Sequence, residues 1–593
     1  MYNSVSSKGS MKIQLERNLR QKAVEIIKEV ENLNFRTALM KMDNINQSLS
    51  FFEKIILFSY QIFCYEINWD LDKKNLTYNK LFELCQLTEF EKDQFVELVL
   101  VTHRMRNNIK SDNYEEIINK IKEMEMTIPS LLEQSQDLEN YLVIKFIVFF
   151  YSSTFFVYLR RNMKKNALNN LNKAIELAKN YNLPYQLFFV DNDVGSYFRA
   201  LGLYEFILPN ILLLLDYFEK NNNLKFECYF LNRAIGEYLY SNANLLEAKT
   251  SFDKLKVKLQ NLSESNEGTN LLKCNFFTLE GIYYFYIGQY TQAIKSGNRA
   301  KRFAQLLFEE FGTAKALANA LGNIGEAYFK LAEFELALKY QGEAFDLRKN
   351  QSDPQDMAES FYQLIQVNLR LGKKNQVDLY LQELVDFIKL LKELDVPYFV
   401  NIEAQYKISL ARSVMQNKNL KSWVQAQELL QQALDLRPKI ELRYDALFLL
   451  IDITIQEYKS FENKETFEEI KEYICTLGRL SEKNPSVELK IHSYLIQSKL
   501  ALISGKFNNF EEILLKAKEL ANNYNLEPLK NLIKFELEKF NKELTKWEML
   551  ITSNSSMRMR LDLATMENYV KDINEILSND SYENTQRKFK LKT

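Results

Sequence analysis

The stretch "IGEAYFKLAEFELALKYQGEA", Ile324 to Ala344, decides the fold, because small and aromatic residues stand in it at fixed offsets. Counted from Gly325, tyrosine follows at +3, alanine at +7, phenylalanine at +9, and alanine again at +12 and +19. Counted from Gly281, the same positions hold tyrosine, glycine, tyrosine, alanine and alanine. Two helices cross closely only where their side chains are small, so the recurrence predicts a repeated helical hairpin with packing sites at these positions.

The same register continues on both sides of this stretch. Its origins are Phe155, Gly195, Gly236, Gly281, Gly325 and Ile365, at intervals of 40, 41, 45, 44 and 40 residues. The structural repeat positions that follow from it are Gly195, Gly236, Gly281, Gly325, Ala248, Ala293, Ala337 and Ala344. We expect the origin and +12 residues to lie where two helices cross, and the small +7 residue to end the first helix in a left-handed turn.

The run "ALANALGNIGEAYFKLAEFELALKYQGEAFDLRK" resembles long-period tetratricopeptide repeats of the kinesin-light-chain type. The usual tetratricopeptide period is about 34 residues, so the longer intervals here imply extended helices or longer linkers. The layout is similar to that of long archaeal tetratricopeptide proteins, best over residues 141–390. This resemblance implies an all-α fold, a right-handed superhelical solenoid of tetratricopeptide-like helical hairpins with a concave groove.

The chain is expected to divide into six segments. They are a flexible tail or cloning remnant at 1–10, divergent helical repeats at 11–140, the repeat core at 141–390, divergent repeats at 391–545, capping helices at 546–578 and a flexible basic tail at 579–593. Within the capping segment, one helical stripe holds Leu561, Met566, Tyr569, Val570, Ile573 and Leu577. This stripe is expected to cap its own chain, which would then be a monomer; the alternative is a two-fold dimer contact.

Composition excludes several classes of partner. The 77 basic and 78 acidic residues balance, so no nucleic acid partner is expected. The five cysteines form no CxxC pair, which favours a reducing cytoplasm and unpaired thiols that are mostly buried. The apolar stretch Tyr141 to Arg161 is long enough to span a membrane, but it contains Lys145 and fits the repeat register. We therefore expect a buried repeat helix and no membrane insertion.

Sequence motifs for catalysis are missing from the chain. It has no glycine-rich phosphate loop, no GxSxG and no HExxH. The two histidines, His103 and His492, are far apart and are expected to be solvated or partly buried helix residues. We therefore expect no enzyme, no metal and no cofactor. The alternative is an enzyme whose active site carries no recognisable motif.

Function is expected on the groove. In tetratricopeptide proteins, an asparagine two residues before the origin glycine commonly holds a peptide backbone, and positions shortly after the glycine contact side chains. Carried over to this chain, that rule selects Asn323, Glu326, Phe329, Lys330, Phe285, Tyr286, Arg233, Tyr240, Tyr362 and Arg370. The resemblance thus implies a scaffold or adaptor for a protein or peptide. Two alternatives stay open: that some of these residues only pack between repeats, and that the protein is a ligand-responsive regulator.

Overall fold

The computed structural model describes most of the chain. The described residues are 21–44, 49–67, 71–86, 93–107, 114–134, 141–160, 163–200, 207–240, 244–262, 267–311, 314–349, 354–393, 399–417, 419–482 and 486–577. They are almost entirely helical, and no strand occurs among them. The predicted all-α class is therefore confirmed. The two tails expected at 1–10 and 579–593 lie outside the described residues.

The first half of the chain contains fourteen of the described helices. They are α1 Gln21–Glu31, α2 Phe35–Asp43, α3 Phe51–Ile67, α4 Leu71–Cys85, α5 Gln94–Asn107, α6 Tyr114–Gln134, α7 Tyr141–Arg160, α8 Lys164–Asn180, α9 Pro184–Ala200, α10 Ile207–Lys220, α11 Leu224–Tyr240, α12 Leu245–Gln260, α13 Glu267–Tyr286 and α14 Tyr290–Phe311.

Thirteen more described helices follow. They are α15 Ala314–Lys330, α16 Phe334–Arg348, α17 Pro354–Arg370, α18 Lys374–Glu393, α19 Phe399–Met415, α20 Leu420–Asp435, α21 Ile440–Phe461, α22 Lys464–Ser481, α23 Val487–Ile503, α24 Phe507–Asn523, α25 Glu527–Thr552, α26 Met557–Leu563 and α27 Met566–Leu577.

The chain divides into two compact units. The first unit comprises Met1–Ala234, Leu255–Leu272 and Glu309–Thr313, and the second comprises Ile235–Lys254, Lys273–Phe308 and Ala314–Thr593. In the first unit, α3 pairs with α4 and α7 pairs with α8. In the second unit, the hairpins α15/α16, α17/α18, α19/α20, α21/α22 and α23/α24 follow one another, and each hairpin packs on the next. That succession is the order of a helical-repeat solenoid.

Aromatic residues fill the core of the first unit. The Phe63 and Phe149 rings lie 4.5 Å apart, and Phe189 lies 4.7 Å from Phe63. Phe149 belongs to α7, the apolar stretch that the sequence singled out, and Lys145 in the same helix pairs with Glu31 at 2.5 Å. Within the described residues, no helix combines the length and the apolar character that crossing a bilayer requires.

The second unit shows how the repeat register works. A Cβ added at Gly281 would stand 3.3 Å from the Ala293 carbonyl oxygen, so these two helices approach backbone to backbone. The +7 residues Gly288 and Gly372 have φ of +70° and +66°, and Ala332 at the same position has φ of 58°. Small residues therefore permit both the crossing and the left-handed turn. Gly236 is less crowded, because its nearest atom, on Leu279, is 3.9 Å away.

The remaining repeat positions are buried. Gly195 is buried in the first unit, and the four alanines Ala248, Ala293, Ala337 and Ala344 are buried in the second. Further along the second unit, apolar clusters join each hairpin to the next. One cluster packs Phe345 of α16 with Phe361 of α17, at 5.0 Å between ring centroids. The hairpins thus share cores with their neighbours, as stacked repeats do.

The expectation about the two histidines is wrong. Both histidines are fully buried, not solvated or partly buried. Burial lowers the pKa of His492 to about 4 against the opposing effect of Glu488, so this ring is neutral at physiological pH. Its Nδ1 lies 3.1 Å from the hydroxyl of Tyr569, which comes from α27. Cys475 is exposed, whereas the other four cysteines are buried as expected.

The C-terminal stripe is buried within its own chain. α27 packs on α21 and α23, and Leu561, Met566, Tyr569 and Val570 are buried there. Lys459 of α21 holds this segment through Asp562 at 2.7 Å and Glu567 at 2.6 Å. The side chains of Ile573 and Leu577 lie outside the described residues. The segment therefore covers the first helices of two successive hairpins.

Candidate partner-binding face

The first helices of the hairpins in the second unit carry polar residues on one common side. These helices are α13, α15, α17, α19, α21 and α23, and we call their common side the inner face. Where one helix carries two of these polar residues, they stand three, four or seven positions apart, which keeps them on one side. They are Tyr286, Glu326, Lys330, Glu359, Tyr362, Gln405, Arg412, Glu441, Asp445, Glu488 and His492.

Neighbouring helices of the inner face are joined through these side chains. The hydroxyl of Tyr362 on α17 donates a hydrogen bond to Asp445 on α21. Arg412 on α19 forms an ion pair with the same carboxylate. Because Arg412 and Asp445 are both largely removed from solvent, the pair satisfies charges that would be costly to leave alone. This group fixes α17, α19 and α21 against one another.

A second polar group lies on the same helices. Gln405 Nε2 donates to Glu359 Oε2 at 2.6 Å, and Lys439 Nζ lies 3.1 Å from that oxygen. Burial alone would lower the pKa of Lys439, but Glu359, Glu441 and Glu326 hold it above its ordinary value. Lys439 is therefore charged at physiological pH. It stands just before α21, so its ammonium group links α21 to α17.

Helices that are far apart in the sequence meet across the inner face. Glu441 on α21 and Tyr286 on α13 are close enough for the carboxylate to raise the pKa of the phenol, an effect second only to burial. Tyr290 at the start of α14 donates a hydrogen bond to Glu488 at the start of α23. A Cβ added at Gly288 would lie 3.2 Å from Leu526, in the turn before α25. The inner face of the second unit is therefore closed on one side, where the turn between α13 and α14 and the start of α14 meet the start of α23 and the turn before α25.

Glu326 has the most perturbed carboxyl group on this face. Burial raises its pKa to about 7, and Glu359 and Glu441 add to the shift, while Lys330 and Lys439 oppose it. Its side chain nevertheless keeps partial contact with solvent. A carboxyl group in crowded surroundings that is still reached by solvent lines a concavity. Near neutral pH this one is divided between its charged and neutral forms.

The structure brings some of the sequence-predicted residues together. Tyr286 and Glu326 lie on the enclosed part of the inner face, and Tyr362 lies beside them through its bond to Asp445. The exposed ring of Tyr240 lies edge-on to Tyr286, with 6.5 Å between centroids. Asn323, Lys330 and Arg370 are partly exposed on α15 and α17.

Three predicted residues lie elsewhere. Phe329 is buried between repeats against Ala337 and Val367, because four residues after Gly325 it lies on the same packed face of the helix as that glycine. Phe285 likewise packs on the cluster around Ala293. Arg233 belongs to the first unit, where it pairs with Asp191 at 3.0 Å. These residues stabilise helix packing, and we remove them from the candidate face.

Sequence reasoning missed the residues that α19 and α21 contribute, namely Gln405, Arg412, Lys439, Glu441 and Asp445. The transfer from known repeats starts at a repeat origin, and the register that begins at Gly325 identifies no origin in these helices. A usable signal was present, since charged residues interrupt the otherwise apolar run of α21 at helical spacing. Buried charge within an apolar helix is the pattern that points to a polar interior.

The candidate face has no metal-binding geometry. Across the described parts of the chain, no group of three or more histidine, cysteine, aspartate or glutamate side chains is placed to hold a metal ion. The face can bind through carboxylates, tyrosine rings, amides and two positive charges. Such a set suits the recognition of a polar or charged segment of another molecule.

Comparison with known proteins gives only distant likenesses. No family model and no curated protein matches the chain. The apo form of RapI is 14% identical with a TM-score of 0.33, over 50% of this chain and 99% of its own. Apo NprR, a quorum sensor from B. thuringiensis, is 13% identical with a TM-score of 0.38, over 65% and 99%. A signal transduction ATPase with a tetratricopeptide repeat sensor, from Pyrococcus horikoshii, is 11% identical with a TM-score of 0.35, over 85% and 69%. At these values the likeness identifies neither a family nor an activity.

Proposed function

We propose that this chain is a non-catalytic scaffold or adaptor that binds an extended segment of a partner protein or peptide on the inner face of its second unit. The observation that carries the proposal is the convergence of Tyr286, Glu326 and Glu441 from α13, α15 and α21 on one enclosed but solvent-accessible place. An extended segment can present its backbone and side chains to polar groups on successive helices of such a face.

The energetics of the inner face support a binding role. Charged and polar groups in crowded surroundings cost folding free energy, and an apolar replacement of similar volume is often at least as stable. A partly accessible group of such residues is therefore better explained by recognition than by packing. Tyrosine and arginine, both present here, are the residue types that carry most binding energy at interfaces.

The cellular setting is part of the same proposal. We place the protein in the cytoplasm, in keeping with five free cysteines, of which Cys475 is exposed. We also retain two resemblances: that to long-period, kinesin-light-chain-like repeats, supported by intervals of 40 to 45 residues between repeat origins, and that of the whole layout to archaeal tetratricopeptide proteins. A monomer is the proposed state, since the C-terminal stripe is covered by the chain itself.

The test is partner capture with a groove variant and a matched surface variant. Asn323→Ala combined with Tyr286→Ala should reduce partner capture from a lysate of the source organism while the circular dichroism spectrum stays unchanged. Leu336→Ala, at an exposed position on the second helix α16, should capture as wild type does. Equal capture by the double variant and the wild type, with both folded, would move the binding site away from the inner face.

A second function, a ligand-responsive regulator, is favoured by one specific feature. The hairpin α13/α14 meets α23 and α25 at its tip, through Tyr290 with Glu488 and through Gly288 beside Leu526. A contact made at a hairpin tip can open without disrupting a core. Tyr290→Phe should then increase the radius of gyration in small-angle scattering, and a bound ligand should reverse the increase. A plain scaffold would keep the same radius in all three states.

A further inference from the structure

We propose that the exposed side of α14 is a docking surface for an acidic segment of a partner protein, a run of aspartate or glutamate residues in extended conformation. We call this surface the basic side of α14, and it is formed by Lys295, Asn298, Arg299 and Arg302, all of them exposed. It belongs to the second unit. Because it lies on a second helix and not on the inner face, the proposal does not rest on the proposed function.

Charge along this hairpin differs from the balance of the whole chain. Across Lys273–Phe308, the basic residues are Lys273, Lys295, Arg299, Lys301 and Arg302, whereas Glu280 is the only acidic one. Glu280 Oε2 accepts a hydrogen bond from the Ser296 hydroxyl at 2.6 Å, and Ser296 is buried. The one carboxylate is therefore bonded to the packed side of α14, and the basic side carries positive charge only.

The three exposed cations of the basic side are not paired within the chain. No aspartate or glutamate oxygen in the described parts of the chain lies within ion-pair distance of them. Other second helices of this unit pair their lysines internally, as Lys389 does with Asp386 at 2.9 Å on α18 and Lys516 with Glu512 at 2.8 Å on α24. The cations of α14 instead stand three and four positions apart, where like charges on a helix repel one another. An acidic ligand would relieve that repulsion.

Aromatic rings hold two of the cations of this hairpin in position. The Arg299 guanidinium lies 5.6 Å from the centroid of the Phe277 ring, which stacks on Phe303 at 5.8 Å with the two planes 8° apart. Lys273 Nζ lies 6.0 Å from the Phe303 centroid. A ring contact of this kind orients a cation and leaves its N–H donors available to an anion. Less side-chain freedom is then lost when a carboxylate binds.

The spacing of the cations suits an extended acidic segment. With a rise of about 1.5 Å per residue, Lys295 and Arg299 stand about 6 Å apart along the helix axis, and Arg299 and Arg302 about 4.5 Å. In an extended chain, alternate residues point to the same side and stand about 6.6 Å apart. Carboxylates at alternate positions can therefore meet successive cations, and each arginine can bind one in bidentate geometry.

The basic side is one helix wide, which favours a protein segment over a larger polyanion. Lys301 Nζ lies 5.2 Å from the centroid of the Tyr340 ring, so α16 is the neighbouring second helix. The exposed charges of α16 are of both signs, namely Glu335, Lys339 and Asp346. A nucleic acid or an anionic membrane would cover both helices and meet carboxylates as well as cations. A single acidic segment along α14 meets the cations alone.

The test compares an acidic peptide with its neutral isostere. The probes are two fluorescein-labelled octapeptides, one alternating glutamate with serine and one alternating glutamine with serine. Fluorescence anisotropy with the full chain at low salt should show about tenfold tighter binding of the glutamate peptide, and added salt should reduce this preference. In Lys295→Gln combined with Arg302→Gln, the glutamate peptide should bind about fivefold more weakly, while the glutamine peptide binds as before.

A matched control separates the basic side from net charge. Lys389→Gln combined with Lys516→Gln removes two exposed lysines from α18 and α24 and should leave binding of the glutamate peptide unchanged. Both double variants change exposed side chains only, so both should keep the wild-type circular dichroism spectrum. Equal binding of the two peptides to the wild type would refute the acidic-segment proposal and leave the proposed function standing. Equal weakening in the two double variants would refute it as well.

Two further probes distinguish the class of partner. A fluorescein-labelled decamer of uridine should bind no more tightly than the glutamate peptide, and vesicles of phosphatidylserine and phosphatidylcholine should not sediment the chain. Tighter binding of the decamer that is lost in Lys295→Gln with Arg302→Gln would overturn the proposal in favour of a nucleic acid site. Sedimentation with the vesicles that is lost in the same variant would overturn it in favour of a membrane surface.

Discussion

The replacement Gly325→Ala adds one methyl group and so tests whether the two helices of a repeat need a small residue where they cross. A Cβ at this position would lie 2.9 Å from Gln341 Cγ and 2.9 Å from its Nε2, closer than real Cβ atoms come to their neighbours. Gln341 is buried, and its Nε2 donates to the Gly322 carbonyl at 3.0 Å. The added methyl group must therefore push Gln341 away from this hydrogen bond.

The magnitude follows from three effects. A buried hydrogen bond lost with both partners left unpaired costs about 1 to 3 kcal/mol. Overpacking a core costs a similar amount, but moving Gln341 relieves the overlap, so the two costs are not added. Alanine in place of glycine inside a helix stabilises the helix by about 1 kcal/mol. We expect a net loss of up to about 2 kcal/mol for Gly325→Ala. Gly325→Leu, with a larger side chain, should cost more.

The matched control is Gly342→Ala on the partner helix α16. Nothing in the described part of the chain lies within 4 Å of a Cβ added there. This variant should gain up to about 1 kcal/mol from helix propensity alone. The same substitution is made at both glycines, so a difference between the two variants reports the surroundings of each position. A second check is Gln341→Ala, which should relieve part of the cost when combined with Gly325→Ala.

Native-state hydrogen exchange measured by mass spectrometry is the suitable assay, because it reports the local stability of α15 and α16. A loss of about 2 kcal/mol corresponds to roughly 30-fold faster exchange of protected amides, the largest effect expected in Gly325→Ala. Gly342→Ala should exchange at the wild-type rate or more slowly. If Gly325→Ala exchanged as slowly as Gly342→Ala, the assignment of Gly325 to a close helix crossing would be mistaken.

Three further predictions concern charge and the C-terminal segment. Glu326 has a folded-state pKa of about 7, above its value in the unfolded chain, so its contribution to folding stability is lost as pH rises from about 4.5 to 7. Relative to Glu326→Gln, the wild type should lose about 3 kcal/mol of unfolding free energy across this pH range, measured by urea unfolding. Lys499→Met should cost about 3 to 5 kcal/mol, because Glu536, at 2.8 Å, would remain as a buried unpaired charge; Lys499→Met with Glu536→Leu should cost less in thermal unfolding. Truncation after Ser553 should lower stability and solubility, and the full chain should be a monomer in light scattering; a full-length dimer that truncation converts to a stable monomer would contradict this.

The sequence predicted the local parts of the fold because those parts depend on neighbours in the chain. The close approach at Gly281 and the left-handed turns at Gly288 and Gly372 are properties of one hairpin, so fixed offsets reveal them. Phe329 was misplaced for a related reason. Its offset from Gly325 defines its position on the helix, but the next repeat decides which side of that helix is covered.

The polar site was only partly predictable from the sequence. Tyr286 and Glu441 meet because small rotations accumulate over several hairpins, and no single repeat contains that information. Burial of His492 depends in the same way on Tyr569, which returns from α27. Long-range contacts of this kind leave no local period in the sequence. Buried charge in the apolar helix α21 was the one local trace of the site.

Site-specific photocrosslinking tests the central claim, that a bound segment enters the inner face of the second unit. A benzophenone amino acid would replace Tyr240, which is 55% exposed and lies beside Tyr286, or Leu336, which is 40% exposed on α16. With a fluorescent pool of random octapeptides as the ligand, we expect crosslinks from position 240 that unlabelled pool suppresses, and only background from position 336. Crosslinks from position 336 with none from position 240 would contradict the account.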